Sequence, residues 1–301
     1  MKVSVIVCTK DRLKSLIRFY NSLILQTELP DEFIIVDGST IPINQSENYK
    51  SKINDFKKTK IYYYNTEPGL TKQRNNGISK ATGDIIYFFD DDIILEHLFL
   101  EKMNFIFINF PEFYAGMGLM TNYDHLITFK EILILSIKRF FLLSHAYGSG
   151  KFYKSGFASH PYGQNMFLET NVLAGGLTGY RKDVFKYFSF DDSLTGYSYM
   201  EDDDFSKRLT KKYKAFYNPK ARCYHDHAEG GRGDTYNNKK MLIYNHRYFF
   251  YKNFNYQNIF FRIAHYWSIF GLFVCSPSIN AFRGYIKGLK DFNQNSTYIF
   301  K

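Results

Sequence analysis

IIYFFDDD, residues Ile85–Asp92, sets three consecutive aspartates at the end of five bulky apolar and aromatic residues. A short apolar run of this kind reads as a buried strand. Carboxylates crowded at a strand end repel one another. A cation among them relieves the repulsion, and oxygen ligands suit Mg²⁺ or Mn²⁺. In open α/β sheets, ligands bind beyond the carboxyl ends of the strands, where Asp90, Asp91 and Asp92 fall. The competing account is a solvated acidic loop, or a helix start that favours negative charge.

Upstream of this run, strand and helix signals alternate. Val3–Cys8 reads as a buried strand, and Leu13, Leu16, Ile17, Tyr20 and Leu23 recur at helical spacing. Phe33–Val36 is a second strand ending at Asp37, and Ile61–Tyr64 a third. A helix over Thr71–Lys80, entered through Pro68-Gly69, leads into the Ile85–Phe89 strand. The alternation predicts an α/β fold, a Rossmann-like, mostly parallel sheet flanked by helices, with right-handed crossovers. One sheet edge then collects Thr9, Asp37 and Asp90–Asp92.

Downstream the pattern loosens. Residues 120–167 hold an apolar segment, Ile132–Leu143, interrupted by Lys138-Arg139, and a Gly/Ser/Tyr-rich loop from Gly148 to Gly163. Regular signals return at Thr170–Tyr180, then in a helix from Met200 to Tyr213 and a strand through Cys223–His227. From Tyr236 the chain reads as helical, aromatic and basic. The expected division is a catalytic unit over residues 1–235 and a C-terminal helical extension over 236–301.

Glu201-Asp202-Asp203-Asp204 opens the helix that continues into Phe205 and Leu209. Asp203 and Asp204 stand four residues before Lys207 and Arg208, which predicts ion pairs on a solvated face. Asp202 shares the buried stripe with Phe205 and Leu209, so it points inward, as a general base or as a helix cap. His225 and His227 alternate on one strand face, as metal ligands or as structural histidines.

Composition narrows the function classes. The 301 residues are 45% hydrophobic and 23% charged, which predicts a globular fold. Cys8, Cys223 and Cys275 show no metal-ligand spacing and suit a reducing compartment. The N-terminal residues do not read as a signal peptide. The longest apolar stretch, Ile263–Cys275, is shorter than the roughly 20 residues a membrane span needs, so none is expected. Net charge is +10, without the interleaved basic–aromatic stripe of a nucleic-acid binder, so membrane surface and diphosphate are favoured over nucleic acid.

Together these segments resemble the family 2 glycosyltransferases, inverting enzymes of the GT-A type that use nucleotide-diphosphate sugars. SVIVCTKDR resembles the family's first strand and nucleotide loop, which implies Cys8, Thr9 and Lys10 as donor contacts. FIIVDGST resembles the second strand, whose terminal acid recognises the base, here Asp37. GLTKQRNNGISKATGDIIYFFDDD resembles the long signature in which an Arg-Asn pair precedes the metal-binding aspartates. Arg74, Asn75, Asp90, Asp91 and Asp92 match it. NVLAGGLTGYRKDVF resembles the acceptor-side segment, and FDDSLTGYSYMEDDDFSKRL the Glu-Asp motif that puts the base at Asp202.

The resemblance implies a GT-A-like fold and a cytoplasmic enzyme, peripheral at the inner face of the cell membrane. Mn²⁺ or Mg²⁺ would be held by Asp90, Asp92 and His225, and Asp91 would hold the ribose. It implies a UDP-sugar donor in the first place, a dTDP- or GDP-sugar otherwise, and a saccharide or lipid-linked saccharide acceptor. Two departures stand out. Asp37 is followed directly by Gly38 where two acids are usual, and Lys10 replaces an aromatic.

Two other functions fit parts of the sequence. A sugar nucleotidyltransferase would want a Gly-rich triphosphate loop, which Val7–Arg12 lacks. A non-catalytic carbohydrate-binding module would use the aromatics but has no need of Asp90–Asp92 and Asp202. The aromatic, basic tail around Trp267 reads either as a membrane-interface helix or as one packed on the catalytic unit.

Overall fold

A computed structural model describes residues 1–194, 199–226, 234–276 and 278–299, the last five as backbone. The first part is a βα succession: β1 (Val3–Thr9), α1 (Leu13–Leu23), β2 (Glu32–Asp37), α2 (Glu47–Lys52), β3 (Lys60–Asn65), α3 (Leu70–Lys80) and β4 (Ile85–Asp90). Then come β5 (Ile93–Leu95), α4 (Phe99–Asn109), β6 (Phe113–Met120), α5 (Phe129–Phe140) and the hairpin strands β7 (Lys151–Phe152) and β8 (Ala158–Ser159). β9 (Leu168–Glu169), β10 (Leu177–Arg181), α6 (Glu201–Leu209) and β11 (Lys214–His225) lead to three helices. These are α7 (Thr235–Asn253), α8 (Ile259–Val274) and α9 (Ile279–Ile299).

The main sheet runs β3-β2-β1-β4-β10-β6-β11-β5, with β9 beside β11. The parallel character expected from the alternation holds for β3, β2, β1 and β4. Beyond β4 the sheet is mixed. β10 is antiparallel to both β4 and β6, β11 is parallel to β6, and β5 and β9 are antiparallel to β11. Helices α4, α5 and α6 do intervene there, but each lies between strands of opposite direction, so strand–helix alternation did not give the direction of those strands.

β1 and β4 are apolar on both faces because helices cover both. Val5, Ile6 and Val7, with Ile85–Tyr87, are fully buried. Each such side chain contributes about 1.5–3 kcal/mol. On α1 the buried stripe is Leu16, Phe19, Tyr20 and Leu23, one face of a helix. Cys8 lies opposite Asp90 and Thr9 opposite Asp37 in register, so the strand ends reach one edge together.

Two predicted elements shift. α6 ends at Leu209 rather than Tyr213, and β11 begins at Lys214, nine residues before the expected strand start. His227 lies outside the described residues.

The C-terminal helices are pinned to the β7–β8 hairpin by a column of rings. Phe157 stacks on His246 at 3.7 Å, His246 on His265 at 5.1 Å, and His265 on Phe250 at 3.9 Å. The His265 Nδ1 donates to the Ser155 carbonyl. Burial pushes His265 down to about 3, with Arg247 adding to the effect, and holds His246 well below its usual range. The unfolded chain therefore binds more protons than the native one below pH ~6.5. Stability from this column is complete at neutral pH and is lost as pH falls from there towards 3. Between pH 7 and 4.5 the wild type should lose about 2–3 kcal/mol relative to His265→Phe, measured by urea denaturation. Parallel curves for the two proteins would refute the assignment.

Candidate active site

One cavity of about 860 Å³ opens at the carboxyl edge of β1 and β4. Its walls include Cys8, Thr9, Lys10, Arg74, Asp90, Asp91, Asp92, Asp202 and His225. Acids more than a hundred positions apart thus share one space. Arg74, on α3, is the link between them. Its guanidinium donates to Asp202 Oδ1 at 2.6 Å and to Glu201 Oε1 at 3.3 Å, and lies 3.8 Å from Asp90 Oδ1. Its plane also sits over the Phe190 ring at 5.0 Å. Burial works against the charge on Arg74, but Asp202, Glu201 and Asp90 more than offset it and keep the side chain ionised.

The backbone makes room for this contact. A Cβ on Gly175 would lie 1.9 Å from Asp202 Oδ1, and one on Gly176 would lie 2.1 Å from Asp90 Oδ2. Adjacent glycines at the start of β10 let both carboxylates approach the chain. The Gly-Gly pair in NVLAGGLTGY was the available signal for this. On the α3 side, the Asn75 amide exchanges hydrogen bonds with both backbone groups of Phe190, at 2.9 and 3.0 Å. Gln73 donates to the Thr9 and Val36 carbonyls and so ties the ends of β1 and β2. Neither role of Asn75 and Gln73 is visible in the sequence.

The three aspartates differ. Asp90 is 41% open to the cavity; burial by the surrounding protein raises its pKa, against the pull of Arg74. Asp91 is buried, accepting from Thr9 Oγ1 at 2.6 Å and Arg12 at 3.2 Å, and burial pushes it up to about 6. Asp92 Oδ1 lies 2.9 Å from His225 Nε2. Ligand atoms of Asp90, Asp92 and His225 all fall within 4.8 Å of one another. Two carboxylates and one imidazole at that spacing fit Mn²⁺, and fit Mg²⁺ less well. Asn122 holds His225 in place: its amide accepts from the His225 N–H at 2.8 Å and donates to the His225 carbonyl at 3.0 Å.

Three expectations are corrected. Asp37 is not on the cavity wall. It is fully buried, and its carboxylate accepts from the Ser39 and Ile43 N–H groups and the Ser39 and Tyr63 hydroxyls. Ser39 Oγ in turn accepts from the Asp11 N–H at 2.7 Å, so Asp37 shapes the nucleotide loop from behind. Asp204 does pair with Arg208, but in the interior. It is fully buried and also bonded to Lys252 and Asn253 of α7. Asp203 lines the cavity, while Lys207 lies over the Phe254 ring at 4.6 Å. Burial, together with Asp202 and Asp204, pushes Asp203 up to about 8, so it is largely protonated at neutral pH. Packing of α7 across α6 converts the face that charge spacing had marked as solvated.

His160 and Tyr162, from the loop after β8, complete the far wall. They lay in the segment with no regular signal. Burial holds the His160 imidazole neutral, down to about 4. Burial also raises the Cys8 thiol to about 12, so it meets a ligand as an uncharged group.

A mixed sheet with a nucleotide-sized cavity at the end of its parallel half, an acid–histidine trio on one wall and an Arg-held carboxylate on another, defines a GT-A type transferase. The chain belongs to the family described as Glycosyl transferase family 2, whose pattern matches residues 4–188. It is 31% identical over 122 residues to the glucosyl-dolichyl phosphate glucuronosyltransferase of Haloferax volcanii; the match covers 39% of this chain and 38% of that enzyme. Its fold is similar to that of S. aureus TarS 1–349 in complex with UDP-GlcNAc (TM-score 0.54, 18% identity, 98% of this chain and 81% of that one). It is also similar to mannosyltransferase PcManGT of Pyrobaculum calidifontis in complex with GDP-Man and Mn²⁺ (TM-score 0.57, 13% identity, 99% and 84%).

Proposed function

We propose that the chain is a metal-dependent, inverting glycosyltransferase. It moves a hexose from a nucleotide-diphosphate donor to a hydroxyl of a saccharide or lipid-linked saccharide, in polysaccharide or glycolipid assembly at the inner face of the cell membrane. UDP-sugar is the first choice of donor, with dTDP- and GDP-sugars the others. The observation that carries this reading is Arg74, which reaches Asp202 and approaches Asp90 inside one cavity.

In this reading Asp90, Asp92 and His225 hold Mn²⁺ or Mg²⁺ against the donor diphosphate, where the ion supplies charge neutralisation to the leaving group. Thr9, Lys10 and Cys8 bound the nucleotide, and Asp91 takes the ribose. Asp202 removes the proton from the acceptor hydroxyl as that oxygen attacks the anomeric carbon. Arg74 donates to Asp202 Oδ1 and so fixes the orientation of that carboxylate in the cavity. One base acting without a covalent intermediate gives inversion at the anomeric carbon. Asp203 and His160 flank the acceptor side, and the protonated Asp203 is suited to donate to a sugar oxygen.

Thermal shift with UDP, GDP and dTDP, each with and without Mn²⁺, tests the proposal. Saturating nucleotide should raise Tm by about 5–10 °C only when Mn²⁺ is present. No shift with any nucleotide under Mn²⁺ would remove the proposal. In Asn122→Ala, which removes the two hydrogen bonds that hold the His225 backbone, the Mn²⁺ needed for half the shift should rise by about 10–100-fold. An unchanged requirement would take His225 out of the ligand set.

A further inference from the structure

α5 is the least expected element of the fold. Its twelve residues, FKEILILSIKRF, include none that is buried. Leu133 is 54% exposed and Phe140 64%, with Phe129, Ile132, Ile134 and Ile137 also open to solvent. The helix is closed at its start by a Thr128–Glu131 capping box. Even so, helices of this length are marginal in water without a packed face. Something should cover this apolar surface.

The surface continues onto α8. Ile259, Ile263, Tyr266, Phe270 and Val274 form one exposed stripe at helical spacing. The two helices join where Trp267 Nε1 donates to the Phe140 carbonyl at 2.8 Å, with ring centroids 5.2 Å apart. Phe270 extends the same face, 5.7 Å from Trp267. The rim is basic. Lys138, Arg139 and Arg262 lie on these helices, and the Lys154 ammonium sits 5.6 Å from the Phe260 ring. Glu131 is the one acid in α5, and α8 has none. A broad apolar face, an indole at its centre and lysines and arginines around it match the headgroup–acyl boundary of an anionic bilayer. No helix among the described residues is long and apolar enough to cross a membrane.

We infer that α5 and α8 together form a monotopic docking face for an anionic lipid bilayer, with Trp267 at the lipid boundary. The face is independent of donor chemistry, and its test does not depend on catalysis. Trp267 is the only tryptophan in the chain, so its emission reports this surface alone. The full chain is mixed with phosphatidylcholine vesicles, with and without phosphatidylglycerol. Fluorescence, co-sedimentation and Mn²⁺-dependent UDP binding are read on the same samples. Phosphatidylglycerol vesicles should shift the emission to the blue and pellet the protein at least tenfold more than phosphatidylcholine alone. Leu133→Glu/Phe140→Glu, both at exposed positions, should lose both responses while keeping UDP binding and Tm. Unmoved Trp267 emission with the wild type, or undiminished pelleting of a folded variant, would overturn the inference. So would a dimer in light scattering that the variant splits, because a second copy would then cover the face.

Discussion

Asp202→Asn should lower kcat by about 10²–10⁴-fold and leave Mn²⁺-dependent UDP binding where it was. The substitution keeps volume and one acceptor oxygen for Arg74, but the amide cannot take up a proton. Asp202 shares the Arg74 guanidinium with Asp90 but is not one of the Asp90–Asp92–His225 ligand group. A binding defect is therefore not expected. The measurement is a donor-consumption assay by mass spectrometry, run beside nucleotide titration. Turnover within a few fold of the wild type would show that the base is another group. A parallel loss of UDP affinity would show that Asp202 belongs to the donor site instead.

Arg74→Ala should be the most destabilising substitution in the site, by about 3–5 kcal/mol at neutral pH. Arg74 and Glu201 are both buried, and Asp202 and Asp90 stand beside them. Without the guanidinium, buried Glu201 and the partly open Asp202 and Asp90 lose their shared counter-charge. Burial and Asp202 already hold Glu201 well above the usual range. In the variant its folded pKa would rise further, and the native state would bind more protons than the unfolded one. Stability then falls as pH rises through that window. The deficit against the wild type should therefore be smallest near pH 5 and grow towards pH 8, in contrast to the histidine column, which both proteins share. Thermal denaturation across pH measures this. A deficit of less than about 1 kcal/mol, independent of pH, would show that Arg74 is not the counter-charge of the site.

Some side-chain roles were legible in the sequence, and others needed the fold. Asp90–Asp92 were located because a strand end in a parallel sheet has only one edge to reach. Asp202 was separated from its neighbours by helical spacing, and it does face the cavity. The same spacing failed for Asp204, since it identifies a face but not what packs on it; α7 covers that face. Asp37 read as a ligand because it ends a strand beside the others. Its satisfied hydrogen bonds, all within residues 37–63, were not visible as spacing. Residues 120–167 gave no periodic signal because α5 carries apolar groups almost all round and the hairpin strands are two residues each.

What the sequence determined by itself were the β1–β4 strands, helices α1 and α3, and the edge on which the acids gather. Those follow from side-chain alternation, helical period and the handedness of the chain, all of which act over a few residues. The tertiary structure decided the direction of the strands past β4, the delivery of His225 beside Asp92, and the reach of Arg74 across 128 positions to Asp202. Each of these depends on which surfaces bury one another. That is settled by the summed packing of distant segments, and no local pattern records it.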